Sequence, residues 1–130
     1  MNKFSAISKE RLATCDERIQ MVFQQVIKYF DCSIIEGHRG EALQRKYFNQ
    51  GKSKVNWPDS MHNHKPSKAV DLAPYPIVFD DIKRFYYFAG WAMGIAISLN
   101  IKLRWGGDWS RDTQVKDNKF NDLVHYELID

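Results

Sequence analysis

The sequence has few cysteines and no long apolar run. Cys15 and Cys32 are its only two cysteines among 130 residues, which excludes a disulfide framework and a CxxC metal pair. We therefore expect two free thiols. The longest apolar stretch, residues 91–99, is far shorter than the ~20 residues that span a bilayer, so no stable membrane association is expected. The first residues have no apolar run behind their charge, and no signal peptide is predicted.

An excess of charge of one sign is also missing. The formal net charge is +3 and the pI is about 8.8, which allows weak attraction to nucleic acid or an anionic wall but does not identify a partner. Eight Phe, six Tyr and four Trp can fill a core, so intrinsic disorder is excluded. A chain of this length fits one domain, which we place at residues 1–130.

The hydrophobic pattern predicts an α+β domain with three helices on a small, mainly antiparallel sheet. The segment 51–68, between the second predicted helix and the second predicted strand, is polar, contains two prolines and is predicted to be a loop. The final strand would place His125 and Glu127 on one face and Tyr126 and Leu128 on the other. The predicted helices are 8–30, 41–50 and 80–99, and the predicted strands are 32–35, 69–72, 101–105 and 124–129.

Two of the four histidines have carboxylates nearby along the chain. His64 precedes Asp71 by seven residues, and Asp122 precedes His125 by three. Two imidazoles and one carboxylate form a reasonable catalytic zinc set, because three protein ligands leave the fourth position of the ion open. A further carboxylate would accept the proton of the attacking water. Spacing alone leaves Asp122 and Glu127 as alternatives for that role.

Four segments carry a resemblance to a known family. Residues 60–74 resemble the His-x6-Asp zinc motif of the D-alanyl-D-alanine peptidase superfamily, and residues 122–128 resemble its second motif. Gly37-His38-Arg39 and residues 101–109 are similar to segments of the phage L-alanyl-D-glutamate endopeptidases. The similarity runs in order from about residue 34 to 128. It implies a fold like that of the Hedgehog and DD-peptidase domains.

The resemblance also implies a role for individual residues. Asp122 would be the general base toward the attacking water and then the proton donor to the leaving amine. Arg39 would stabilise the oxyanion of the tetrahedral intermediate, and Glu127 would orient a ligand. The implied zinc ligands are His64, Asp71 and His125.

The sequence departs from the family pattern at two positions. The family has Ser two residues before the first histidine ligand, where this chain has His62 if His64 is that ligand. It has Gly three residues after the ligand, where this chain has Ser67. The x6 spacing to Asp71 favours His64, and His62 is the alternative ligand.

The resemblance implies a zinc-dependent peptidoglycan endopeptidase that cleaves the L-Ala–D-Glu bond of the stem peptide. A phage endolysin is the expected biological form: a monomer that accumulates in the host cytoplasm and then acts on the cell wall. The alternatives are a D-Ala-D-Ala carboxypeptidase or dipeptidase, and a zinc-stabilised wall-binding module without catalysis. Nucleic acid is not an expected partner, because His62 and His64 are too close in sequence for the His-Asn-His site of metal nucleases.

Overall fold

The computed structural model describes residues 1–129 and shows, in that range, one four-stranded sheet and four α-helices. The elements are α1 Ala6–Leu12, α2 Glu17–Val26, β1 Cys32–Glu36, α3 Glu41–Asn49, a 3-10 helix Met61–Asn63, β2 Ala69–Pro74, α4 Ile82–Ser98, β3 Leu103–Gly106 and β4 Asp122–Leu128. The strand order is β1-β2-β4-β3, and all neighbours are antiparallel. The α+β class and the antiparallel sheet are therefore confirmed. The last residue of the predicted domain 1–130 lies outside the described residues.

The number of helices was predicted wrongly, because residues 8–30 form two helices instead of one. The backbone between α1 and α2 pairs with Ser67: the carbonyl of Thr14 accepts from Ser67 N at 2.9 Å, and Asp16 N donates to the Ser67 carbonyl at 2.9 Å. This pairing interrupts the helical hydrogen bonds. A new helix then begins at Asp16, whose side chain accepts from Arg18 N. Apolar periodicity continues through the break and does not reveal it.

The sheet has one apolar face and one polar face. Tyr126 and Leu128 of β4 lie in the hydrophobic core, where the Tyr126 ring makes an edge contact with Phe23 of α2 at 5.3 Å between centroids. His125 and Glu127 lie on the opposite face, where they contact each other, as the alternation of the strand predicts. The other strands also contribute apolar residues to the core: Cys32, Ile34, Val70, Leu72, Leu103 and Trp105.

The helices α2 and α4 cover the apolar face of the sheet. α4 contacts β2, β3, β4 and α2, and its buried residues are Phe85, Phe88, Ala89, Ala92 and Ala96. Within residues 1–129, no helix is both long enough and apolar enough to cross a membrane. The polar face of the sheet remains open to side chains from the loops before β2 and after β3.

Candidate active site

Three potential metal ligands converge on the polar face of the sheet. His62 Nε2 and His125 Nδ1 each lie 3.1 Å from Asp71 Oδ1. One possible ligand atom from each of the three residues lies within 4.8 Å of the others. Both histidines are buried, and Asp71 is partly buried. Two imidazole nitrogens and one carboxylate oxygen at these separations can bind a transition-metal ion.

Strand register and a capped turn bring the three residues together. Asp71 of β2 lies directly opposite His125 of β4 in the antiparallel ladder, so both side chains project from the same face. His62 comes from the 3-10 helix that precedes β2. Ser60 and Asn63 cap this helix reciprocally through a capping box, which fixes the backbone from which His62 projects.

A buried acceptor holds one ring nitrogen of each histidine. His62 Nδ1 lies 2.7 Å from the carbonyl oxygen of Gly37, and His125 Nε2 lies 2.7 Å from Glu127 Oε1. Because a carbonyl and a carboxylate only accept hydrogen bonds, those nitrogens carry the hydrogens. The lone pairs of the neutral rings are then on His62 Nε2 and His125 Nδ1, the atoms that face Asp71. Such outer partners are typical of histidines that bind metals.

Gly37 can hold His62 because it packs tightly against the end of α1. A Cβ at this position would overlap Thr14 Oγ1 and the backbone carbonyl of Arg11. Glycine is therefore required for the close approach, and the Gly37 carbonyl is consequently in reach of the His62 ring.

The electrostatics of the cluster suit a bound cation. Burial alone would raise the pKa of Asp71, but the hydrogen bonds to His125 and His62 outweigh it and hold the pKa well below its usual range. Burial disfavours the charged form of His125, yet its hydrogen bonds to Asp71 and Glu127 raise its pKa to about 9. The cluster therefore holds positive charge strongly, and a divalent ion can supply that charge while both rings are neutral.

The structure does not bring His64, the ligand expected from x6 spacing, into this cluster, and His62 lies there instead. His64 is exposed and follows the 3-10 helix as its C-terminal cap residue. His62 occupies the place predicted for His64, with eight residues between it and Asp71 rather than six. The 3-10 turn and the segment after it take up the additional two residues. The signal in the sequence was Ser60, which stands two residues before His62 as the family's Ser stands before its histidine ligand.

Arg39 lies beside the cluster as expected, but most of its donors are already used. Its Nε donates to Glu36 Oε1 at 2.8 Å, Nη2 contacts the same oxygen, and Nη1 donates to Gln44 Oε1 at 2.9 Å. Nη2 also lies 3.9 Å from Asp71 Oδ2. The guanidinium is thus a fixed, buried positive charge next to the potential ligands. Sequence reasoning missed Glu36 and Gln44, which no motif marks.

Asp122, at the start of β4, faces the same groove as the cluster. Burial raises the pKa of its carboxyl group; His125 lowers that pKa and Asp71 raises it further. Its side chain makes no hydrogen bond within the described part of the chain. A partly buried carboxylate with a raised pKa is typical of a general base.

Glu127 links the cluster to strand β3, on which Arg104 lies. It accepts from His125 Nε2 through Oε1 and from Arg104 Nη2, at 2.7 Å, through Oε2. Burial would raise the pKa of Glu127, but these two hydrogen bonds lower it. Glu127 is therefore an anion whose hydrogen bond to His125 Nε2 limits the orientations of that ring.

A groove of about 960 Å³ runs over the cluster. Trp109 forms part of its wall, with its ring 5.5 Å from that of His125 and stacked on Phe120 at 6.4 Å. Lys54, which also lines the groove, has its Nζ 4.9 Å from the centre of the Phe120 ring. Trp105 is instead buried in the core. The volume of the groove is within the range of ligand-binding clefts, and the candidate ligands lie among its lining residues.

Comparisons with known proteins show the family and the fold of this chain. The family model described as "Phage L-alanyl-D-glutamate peptidase" matches residues 1–129. The L-alanyl-D-glutamate peptidase of Escherichia phage T5 is 30% identical over 141 aligned residues, which cover 98% of each protein. The crystal structure of the Serratia marcescens L-Ala D-Glu endopeptidase ChiX has the same fold, with a TM-score of 0.78, 24% identity and coverage of 98% of this chain and 91% of that one. The chain belongs to the phage L-alanyl-D-glutamate peptidase family.

Proposed function

We propose that this chain is a zinc-dependent peptidoglycan endopeptidase that hydrolyses the L-Ala–D-Glu bond of the stem peptide. The observation that carries the proposal is the cluster of His62, Asp71 and His125 in the lining of a groove of about 960 Å³. The phage T5 relative is an L-alanyl-D-glutamate peptidase, which supports the choice of bond. Residues 1–130 would form the catalytic domain.

The proposed zinc ligands are His62 Nε2, Asp71 Oδ1 and His125 Nδ1. This donor set favours zinc over magnesium or calcium, which prefer oxygen ligands. When bound, zinc supplies a Lewis acid for the scissile carbonyl and lowers the pKa of water. The ligand set retains Asp71 and His125 from the sequence motif and replaces His64.

Asp122 would accept the proton of the attacking water and then donate it to the leaving amine of D-Glu. Because its pKa is raised toward neutral pH, the protonated and deprotonated forms of Asp122 are closer in free energy, and the same carboxyl group can both accept and donate the proton. Arg39 would stabilise the oxyanion that forms on the scissile carbonyl. Glu36 and Gln44 hold this cation in place, so little reorganisation is needed when the charge develops.

The biological role that follows is that of a phage endolysin acting in host lysis. The enzyme would accumulate in the host cytoplasm as a monomer and reach the wall once the membrane is breached. Five acidic and four basic side chains line the groove. A bound divalent cation would therefore make its charge positive, which suits an anionic peptide substrate.

The test is mass spectrometry of purified peptidoglycan after digestion, with and without a zinc chelator. We expect release of peptides that begin with D-Glu, and loss of that release when the chelator is present. Metal analysis of the purified protein should give about one zinc per chain.

Other products would contradict the proposal in distinct ways. Loss of a terminal D-Ala alone would indicate the carboxypeptidase, whereas zinc binding without any cleavage would indicate a wall-binding module. The Asp122→Asn variant is a useful comparison, because it should bind zinc and leave the peptidoglycan intact.

A further inference from the structure

Arg104 lies in the groove, next to the candidate ligands, and the proposed reaction gives it no role. It lies on β3 directly opposite Glu127 of β4, and its Nη2 donates to Glu127 Oε2 at 2.7 Å. Its neighbours along the strand, Leu103 and Trp105, are in the core. The alternation of side chains along the strand therefore directs Arg104 to the polar face. There, Glu127 lies between Arg104 and His125 and accepts a hydrogen bond from each.

The guanidinium of Arg104 has donors that the protein does not satisfy. Its Nε is buried and has no hydrogen-bond partner, and within residues 1–129 the bond to Glu127 is its only one. A buried donor without an acceptor is uncommon in proteins and costs free energy. Nε itself is shielded from the groove, but the side chain is 33% exposed and Nη1 makes no hydrogen bond within residues 1–129. An acceptor in the groove can therefore reach the terminal nitrogens of the guanidinium.

Trp109 limits where the guanidinium of Arg104 can point. The guanidinium carbon lies 5.7 Å from the centre of the Trp109 ring, and Glu127 holds the other side of the side chain. A planar donor held from two sides is suited to binding a carboxylate through parallel hydrogen bonds.

The other cations of the groove are less suited to this task. Arg39 uses Nε, Nη1 and Nη2 to bind Glu36 and Gln44. Lys52 and Lys54 are exposed on the rim, where they lie over aromatic rings. An exposed ammonium is a flexible point charge and discriminates poorly between anions.

The proposed substrate carries a carboxylate next to the scissile bond. D-Glu supplies the amine that leaves, and because the stem peptide continues through its side-chain carboxyl group, its α-carboxylate is free. We propose that Arg104 binds this α-carboxylate and thereby selects stem peptides in which it is not amidated. The inference rests on the proposed function and adds the residue that recognises the D-Glu side of the bond.

The experiment compares two synthetic stem peptides that differ at one group, the α-carboxylate of D-Glu or the carboxamide of D-isoglutamine. A charge-assisted hydrogen bond to a partly buried site corresponds to a preference of roughly tenfold to hundredfold. We expect the zinc-loaded wild-type enzyme to prefer the carboxylate by that factor in kcat/KM. In Arg104→Gln the two peptides should be cleaved with nearly equal kcat/KM.

Arg45→Gln is the matched control, because Arg45 is exposed on α3 and, among residues 1–129, pairs only with Glu41. It should retain the wild-type preference. A binding readout accompanies turnover: calorimetric titration with the released fragments that begin with D-Glu or D-isoglutamine should show the same preference in wild type and its loss in Arg104→Gln. If that variant does not fold, Arg104→Lys should reduce the preference without abolishing it.

Two results would overturn the inference and leave the proposed function intact. One is equal cleavage of the two peptides by the wild-type enzyme. The other is an unchanged preference in Arg104→Gln with both rates reduced, which would mean that Arg104 acts only by holding Glu127. Failure of wild type to cleave either peptide would instead overturn the proposed function and, with it, this inference.

Discussion

The two histidines near the 3-10 helix give the most decisive comparison, since sequence spacing and tertiary structure select different ones. Replacing His62 by alanine removes one of the three potential ligand atoms. Replacing His64 by alanine changes an exposed side chain outside the cluster. We therefore expect His62→Ala to lose zinc and activity, and His64→Ala to keep both.

The size of the effect follows from what each side chain contacts. Removing a residue that only orients a metal ligand typically lowers metal affinity by about 10–100-fold, so loss of the His62 ligand should lower it by at least about 100-fold. His62→Ala also leaves the buried Gly37 carbonyl without its 2.7 Å partner. An unpaired buried group costs about 1–3 kcal/mol. His64→Ala should change the free energy of unfolding by less than about 0.5 kcal/mol, as is usual for surface positions.

The assay measures zinc content after dialysis, zinc affinity by chelator competition and hydrolysis of a stem peptide, for both variants and wild type. Thermal unfolding of each protein in chelator separates the loss of folding stability from the loss of metal. The reasoning would be refuted if His64→Ala lost zinc while His62→Ala retained it, because the ligand would then be the one that the x6 spacing selects.

Three further predictions concern Asp122, Glu127 and Asp16. Asp122→Asn should lower kcat by about 10²–10⁴-fold, typical of a lost general base, with unchanged zinc content by metal analysis; full activity would exclude the proposed role. Glu127→Gln should weaken zinc binding by about 10–100-fold in chelator competition, because Glu127 Oε1 holds His125 Nε2 at 2.7 Å; unchanged affinity would contradict this. Asp16→Ala should destabilise the fold by about 0.5–2 kcal/mol in denaturant titration near neutral pH. The hydrogen bond from Arg18 lowers the pKa of Asp16, so its contribution is complete above the ordinary aspartate pKa and is lost as pH falls through the lowered value; a difference between variant and wild type that did not shrink in acid would argue against it.

Much of the fold could be predicted because strand alternation is a local property. In β4 the sequence alone places Tyr126 and Leu128 on one face and His125 and Glu127 on the other, which the structure confirms, and the structure adds that the first pair lies in the core. The break between α1 and α2 could not be predicted in this way. It depends on hydrogen bonds to Ser67, about fifty residues further along the chain.

The residues of the candidate site also differ in how far the sequence alone could place them. Asp71 and His125 lie on regular strands, where spacing translates directly into position, and both were found from sequence. His62 and His64 lie on an irregular segment, where the number of residues does not determine direction. Arg104 could have been noted as the polar residue between Leu103 and Trp105, but its unsatisfied donors depend on Glu127 and Trp109, which are distant in sequence.

The sequence by itself therefore determined the class of the fold, the antiparallel sheet, the family and two of the three potential ligands, because these follow from local periodicity and from motifs on regular strands. Tertiary structure decided which histidine enters the cluster, because the capped 3-10 turn and the Gly37 carbonyl orient His62. It also decided which nitrogen of His62 faces Asp71, since the Gly37 carbonyl that holds the opposite nitrogen is distant in sequence. For His125 the acceptor, Glu127, is local to the strand, and tertiary structure adds the Arg104 hydrogen bond to that carboxylate.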